Sequence, residues 1–267
     1  MNKDLAIEEN GAEFLMTLGR AAGAEERDDG RVRWVIGNSP IDYHNCVVFA
    51  DLTREEADGE IEASLQSMRA HRVPGSWHVG PSMRPSDLGG RLIPHGFEYG
   101  GDDIGMAVDL SELPEGVPVP ENLVVEQVHD EAGLAAWVEA LGSGFGEGPV
   151  EAEWVGEMYR RLGFEGPWRH YLGRLAGEAV ATVTSFFGAG DLLRVHRRAC
   201  QAAGYRGCCD SRGVARSAGD RLLRRRAWFL GDGLPRLSRA GLRGILQDRA
   251  LRVASWVGVA HSRRRIR

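Results

Sequence analysis

Hydrophobic positions in the first 190 residues follow two spacings, one near 3.6 and one near 2. Phe14, Leu15, Leu18 and Ala22 share a helical face, so residues 1–29 read as a helix followed by a polar loop. Arg33–Ile36 and Asn45–Leu52 read as strands around the turn Gly37-Asn38-Ser39-Pro40. Thr53-Arg54-Glu55-Glu56 has the form of a capping box, in which hydroxyl and carboxylate satisfy orphan backbone donors. Ala57, Ile61, Leu65 and Met68 follow at helical spacing and define a buried face. Pro74-Gly75 ends that helix. Ser76–Gly80 predicts a strand and 85–95 a short helix with Leu88 and Leu92 turned inward. Phe97 re-enters the core before the strand Gly105–Leu110.

Leu113–Asn122 contains three prolines and reads as a linker. The pattern then restarts with a strand over Leu123–Val128. Asp130 is placed to cap a helix whose apolar stripe is Leu134, Trp137, Val138 and Leu141. Gly142–Pro149 reads as a glycine-rich loop, and Glu151–Leu162 as a helix with Trp154, Val155, Met158 and Leu162 near one side. His170–Leu175 and Ala179–Phe187 form a hairpin around Ala176-Gly177-Glu178. In its second arm Val180, Thr182, Thr184 and Phe186 alternate with Ala181, Val183, Ser185 and Phe187.

Composition changes the picture at Gly190. The chain has 267 residues, 43% of them hydrophobic, enough to bury a core. No apolar run reaches the roughly 18–20 residues of a membrane span. Met1–Gly11 carries Asp4, Glu8 and Glu9 rather than a basic, then apolar, leader, so a cytoplasmic protein is expected. Four cysteines do not make a disulfide framework. The net charge of −5 conceals two halves. Residues 1–190 hold 14 basic and 33 acidic side chains; residues 191–267 hold 19 basic and 5 acidic. All 19 of those basic residues are Arg, and this tail has no Glu, Lys, Asn, Thr or Met.

The stretch Y-L-G-R-L-A-G-E-A-V-A-T-V-T-S-F-F, preceded by strand, helix and helix, resembles the opening half of a GNAT-type N-acetyltransferase. The segment S-W-H-V-G-P-S-M-R-P-S-D-L-G-G-R-L-I-P-H-G-F, ending in G-M-A-V-D-L, resembles the closing half of the same fold, yet lies upstream at 76–110. The resemblance covers about 30–190 and implies two tandem units, the first degenerate. It implies an α/β (α+β) fold with a mixed, mostly antiparallel sheet flanked by helices. It also implies acetyl transfer from acetyl-CoA to an amine. In this family an Arg/Gln-x-x-Gly-x-Gly/Ala loop opens a helix and holds the pyrophosphate through backbone N–H groups. A later Tyr often returns a proton to the CoA thiolate. Neither is found in register after Gly190, so no catalytic or cofactor-binding residue is assigned.

The genetic code suggests why. With each codon started one nucleotide late, Gln201–Gly207 can encode R-R-R-G-I-G-A, the missing loop. The same shift over Gly233–Arg243 can encode G-Y-P-V-Y-R-A-L-G-F-E, which resembles the family's tyrosine-bearing terminal helix and the strand start after it. The chain therefore reads as an N-terminal helix and loop (1–29) and a degenerate GNAT-like unit (30–113), joined by a linker (114–122) to the first half of an acetyltransferase domain (123–190). Residues 191–267 read as a frame-shifted, disordered or loosely helical tail. Without the tail's proper residues the second unit is incomplete: its sheet should lose a central parallel pair and leave Ala179–Phe187 with an uncovered edge. The polypeptide as written is expected to be inactive.

Other features have plainer readings. Arg224-Arg225-Arg226 and Arg263-Arg264-Arg265 suggest nucleic-acid or nonspecific polyanion binding, without aromatic interleaving or a recognised module. His196, Cys200, Cys208 and Cys209 match no standard zinc spacing, so no metal is expected. Gly204-x-x-Gly207 is too short for a phosphate loop. His44, His78 and His95 are isolated, and His78 reads as a core or half-buried residue. Cys46 reads as a small buried hydrophobe. Trp154 and Tyr159 are candidates for an acceptor pocket or for core, and Glu178 for a solvated turn. Two rivals stay open: a non-enzymatic binding protein with an arginine-rich tail, and an enzyme of unfamiliar type using 30–190 alone.

Overall fold

The computed structural model describes residues 3–108, 121–145, 149–188, 192–200, 226–231 and 256–261. The chain divides into two units. Unit 1 comprises Met1–Gly105 with Ala254–Arg267, and unit 2 comprises Met106–Val253. The boundary falls inside a strand, Glu98–Val108, rather than at the expected linker; 109–120 lies outside the described residues.

Unit 1 begins with α1 (Lys3–Ala22), followed by β1 (Glu25–Asp28), β2 (Val32–Ile36), β3 (Cys46–Ala50), α2 (Arg54–His71), β4 (Ser76–Val79), α3 (Leu88–Leu92) and β5 (Glu98–Val108). Its strand order is β1-β2-β3-β4-β11-β5, where β11 is Trp256–His261. β3 and β4 are parallel, joined by the α2 crossover; the other neighbours are antiparallel. The expected capping box is complete: Glu56 N donates to Thr53 Oγ1 and Thr53 N to Glu56 Oε2. Ala57, Ile61, Leu65 and Met68 are buried against Trp34, Val47, Trp77, Leu88, Leu92 and Phe97. Trp77 is fully buried, and its indole N–H donates to Ser64 Oγ at 3.0 Å, so the ring carries no unmet donor into the core. Asn45, also fully buried, accepts from Gly37 N and donates to the carbonyls of Ser39, Ile41 and Pro74, pinning the turn beside α2's exit.

Unit 2 contains β6 (Leu123–Gln127), α4 (Glu131–Phe145), α5 (Pro149–Leu162), β7 (Trp168–Leu175), β8 (Glu178–Gly188), β9 (Leu192–Cys200) and β10 (Arg226–Gly231). Its strand order is β10-β9-β8-β7-β6; β9 and β10 are parallel and the rest antiparallel. The hairpin turns on Ala176 and Gly177, both at positive φ (51° and 90°), the backbone of a two-residue turn that twists with its strands. Asp130 Oδ1 accepts from Gly133 N at 2.8 Å, as a helix cap should. Each unit thus has one parallel pair among antiparallel neighbours.

Several elements differ from the sequence reading. The polar loop after α1 contains β1, Glu-Glu-Arg-Asp, with no apolar pattern to announce it. Its side chains are held instead by a hydrogen bond between Glu25 and His71 and by ion pairs of Glu26 with Arg20, Arg27 with Glu60 and Asp28 with Arg33. α4 runs on through Gly142 to Phe145, where a loop was expected. Ser143 Oγ donates back to Glu139 O, and Gly142 lies against Ala152 of α5, so the glycine permits helix packing rather than a turn. The tail is not without order throughout. β9, β10 and β11 are strands; β9 covers the edge of β8, and β9–β10 is the parallel pair expected to be lost.

Candidate functional site

A helix that follows the first strand of a parallel pair presents its N-terminal N–H groups near the strand ends, the place where such a fold binds an anion. In unit 1 this place is Asp51–Arg54, between β3 and α2. It is already filled by the chain. The capping box engages the Glu56 and Thr53 N–H groups. Beyond β4 the chain returns to β3: Arg84 N donates to Ala50 O at 3.0 Å and Leu52 N to Arg84 O at 3.2 Å, bridging Asp51 and Arg84. Three carboxylates, Asp51, Glu55 and Glu56, flank the helix start. Hydrogen bonds from Thr53 and then Arg31 hold Glu56 down at about 2, so it is charged at any ordinary pH. The nearby cations are committed elsewhere: Arg31 to Glu56, Arg54 to Asp87, and the Arg84 guanidinium to the carbonyls of Pro81, Ser82 and Met83. A pyrophosphate does not fit this donor set.

In unit 2 the equivalent place follows β9, and residues 201–225 lie outside the described residues. Trp137 of α4, Tyr159 of α5, and Trp168 and His170 of β7 form an aromatic cluster with Phe186 of β8. Tyr159 stacks on His170 with ring centres 4.0 Å apart. His170 Nδ1 lies 3.0 Å from Thr184 Oγ1, its cross-strand partner. Burial, with a lesser push from Arg169, holds His170 down at about 3, so the ring is neutral. Among the described residues, Trp137 Nε1, His170 Nε2 and Ser185 Oγ make no hydrogen bond.

The residues singled out from sequence lie on several elements. Tyr159 is core, stacked on His170, and Trp154 is half-buried. Cys46 is fully buried and burial pushes its thiol pKa up, as a small hydrophobe's should be. His44 is buried edge-on to Tyr43, His78 is half-buried on β4, and His95 faces Asp58 and Glu62 at 3.6 and 3.8 Å. Glu178 is exposed at the start of β8, beside the hairpin turn. His196 and Cys200 lie on β9, whereas Cys208 and Cys209 fall outside the described residues, as do Arg224, Arg225 and the 263–265 run. No metal-binding group of His, Cys, Asp or Glu occurs among the described residues. Among them, too, no helix is long and apolar enough to cross a membrane. His170 was missed because a lone histidine on an apolar strand carries no signal of its own; only the pairing with Thr184 and two helices makes the cluster.

No family model matches the chain, and no curated protein is similar to it in sequence. Solved structures are. A GCN5-related N-acetyltransferase from Kribbella flavida superposes with a TM-score of 0.66 at 15% identity, over 96% of this chain and 95% of that one. A tandem GNAT protein from the clavulanic acid biosynthesis pathway gives 0.53 at 13% identity, over 88% and 80%. A GCN5-related N-acetyltransferase from Sphaerobacter thermophilus gives 0.52 at 16%, over 78% and 68%. The chain has the GNAT fold.

Proposed function

We propose that this chain is a tandem GNAT N-acetyltransferase whose second half has been read out of frame, and that as written it transfers no acetyl group. The fold supports acyl transfer as the ancestral chemistry. The observation that carries the rest is the break at Gly190. Before it, the chain carries the helix and strand patterns of a packed fold; after it, charge reverses and five residue types vanish.

The strands β9 and β10 are compatible with this reading. Carried back from Gly233 to Arg226, the late-start reading can encode V-L-G-S-S-E-M, which runs without a stop into G-Y-P-V-Y. Arg226–Gly231 is β10. Acetyl-CoA would then belong to unit 2 of the frame-restored chain, on the loop R-R-R-G-I-G-A; in the chain as written Gln201–Gly207 does not supply that donor set. The acceptor is an amine.

The test is to express both chains and follow thiol release from acetyl-CoA over a panel of small and peptide amines. The frame-restored chain should turn over and the chain as written should not. Equal activity in the two, or none in the restored chain, overturns the proposal.

A further inference from the structure

We infer that unit 1 has sealed the anion-binding end of its own parallel pair, takes no nucleotide cofactor, and serves as a scaffold, so that a chain has room for coenzyme A only in unit 2. Three observations in unit 1 carry this, and none depends on the frame of the tail. The first is the complete capping box at Thr53 and Glu56, which engages N–H groups an anion would need. The second is the sign of the charge there. Asp51, Glu55 and Glu56 surround the helix start, and the Arg31, Arg54 and Arg84 side chains are turned to carboxylates or carbonyls. A diphosphate would have to break these pairs and then sit beside three like charges.

The third observation is the backbone seal. Two parallel strands that part leave unpaired N–H and C=O groups between them, which a ligand can use. Here the Gly80–Pro85 segment uses them itself, through Arg84 to Ala50 and Leu52. That segment is in turn held from outside by α1. Glu8 accepts from Ser82 N at 3.1 Å and from Ser82 Oγ, and its carboxylate lies so close over Gly80 that a side chain there would collide with it. Cap, charge and seal act on one place from three elements, so losing any one does not reopen it.

Hydrogen exchange on the full chain, with and without coenzyme A in large excess, tests this directly. Slow exchange over Glu60–Met68 without ligand, and no added protection over 51–57 and 80–85 with it, is the expected result. Ligand-dependent protection of either segment overturns the inference, as does fast exchange through α2 in the free chain. Protection confined to residues after Gly190 leaves it standing and counts instead against the frame-shifted tail. In the frame-restored chain, calorimetry should give one coenzyme A per polypeptide. Two would overturn the inference; none would leave unit 1 as described and sink the proposed function.

Discussion

His170 makes unit 2 acid-sensitive. Its fold-imposed neutrality, at about 3 against an ordinary value near 6.5, means that its contribution is complete above about pH 6.5 and is lost as pH falls toward 3. Between about pH 6.5 and 4.5 the hydrogen-bonded carboxylates Asp29 and Glu56, held down at about 2, are still charged. In that window urea unfolding should show a loss of about 1 kcal/mol per pH unit, which His170→Gln abolishes while keeping a partner for Thr184. Parallel pH slopes for the two chains would contradict this. In unit 1, Thr53→Ala should cost about 1 kcal/mol by the same measurement, because one helix donor loses its acceptor. Residues whose role is local were legible in the sequence: Thr53 and Glu56, Asp130, Ala176-Gly177. Those whose role needs partners from distant strands were not. Asn45 ties four backbone groups at once, and Glu8 reaches Ser82 across 74 positions, without any pattern that would single them out.

Elements were legible where one face is buried and the other is not. α2, β2, β3, α5 and the β7–β8 hairpin follow from apolar spacing to within a few residues. β1 was not, because an edge strand needs only backbone pairing and its charges repel a further strand. The start of β5, Glu-Tyr-Gly-Gly-Asp-Asp, was hidden for a similar reason: its backbone pairs with β11, a segment more than 150 positions away. Two substitutions probe element packing. Gly156 of α5 lies so close to Val138 of α4 that a Cβ would overlap it, so Gly156→Val should destabilise unit 2 by about 1–3 kcal/mol. An unchanged unfolding midpoint would mean the helices are farther apart than described. Deleting 254–267 removes the strand that pairs with both β4 and β5. Two edges are then open at once, and size-exclusion chromatography should show the shortened chain as oligomer or aggregate. A well-behaved species of unchanged size would show that β11 is dispensable.

At the scale of the whole molecule, the charge of −5 is a poor guide to behaviour. A half at −19 and a tail at +14 should let an acidic protein bind heparin, with retention lost steeply as salt rises from about 50 to 200 mM. Flow-through at low salt would contradict that. Such binding follows from arginine density and needs no selected site. The fold is the GNAT fold, and the proposal leaves coenzyme A no place in unit 1 and none in unit 2 as written. The break at Gly190 decides between a lost enzyme and a different protein, and the coding DNA from codon 185 to codon 245 records it. Read one nucleotide late, it should run without a stop and encode R-R-R-G-I-G-A at 201–207 and G-Y-P-V-Y-R-A-L-G-F-E at 233–243. A stop codon in that frame, or unrelated residues at either place, would show that the arginine-rich tail is the protein's own.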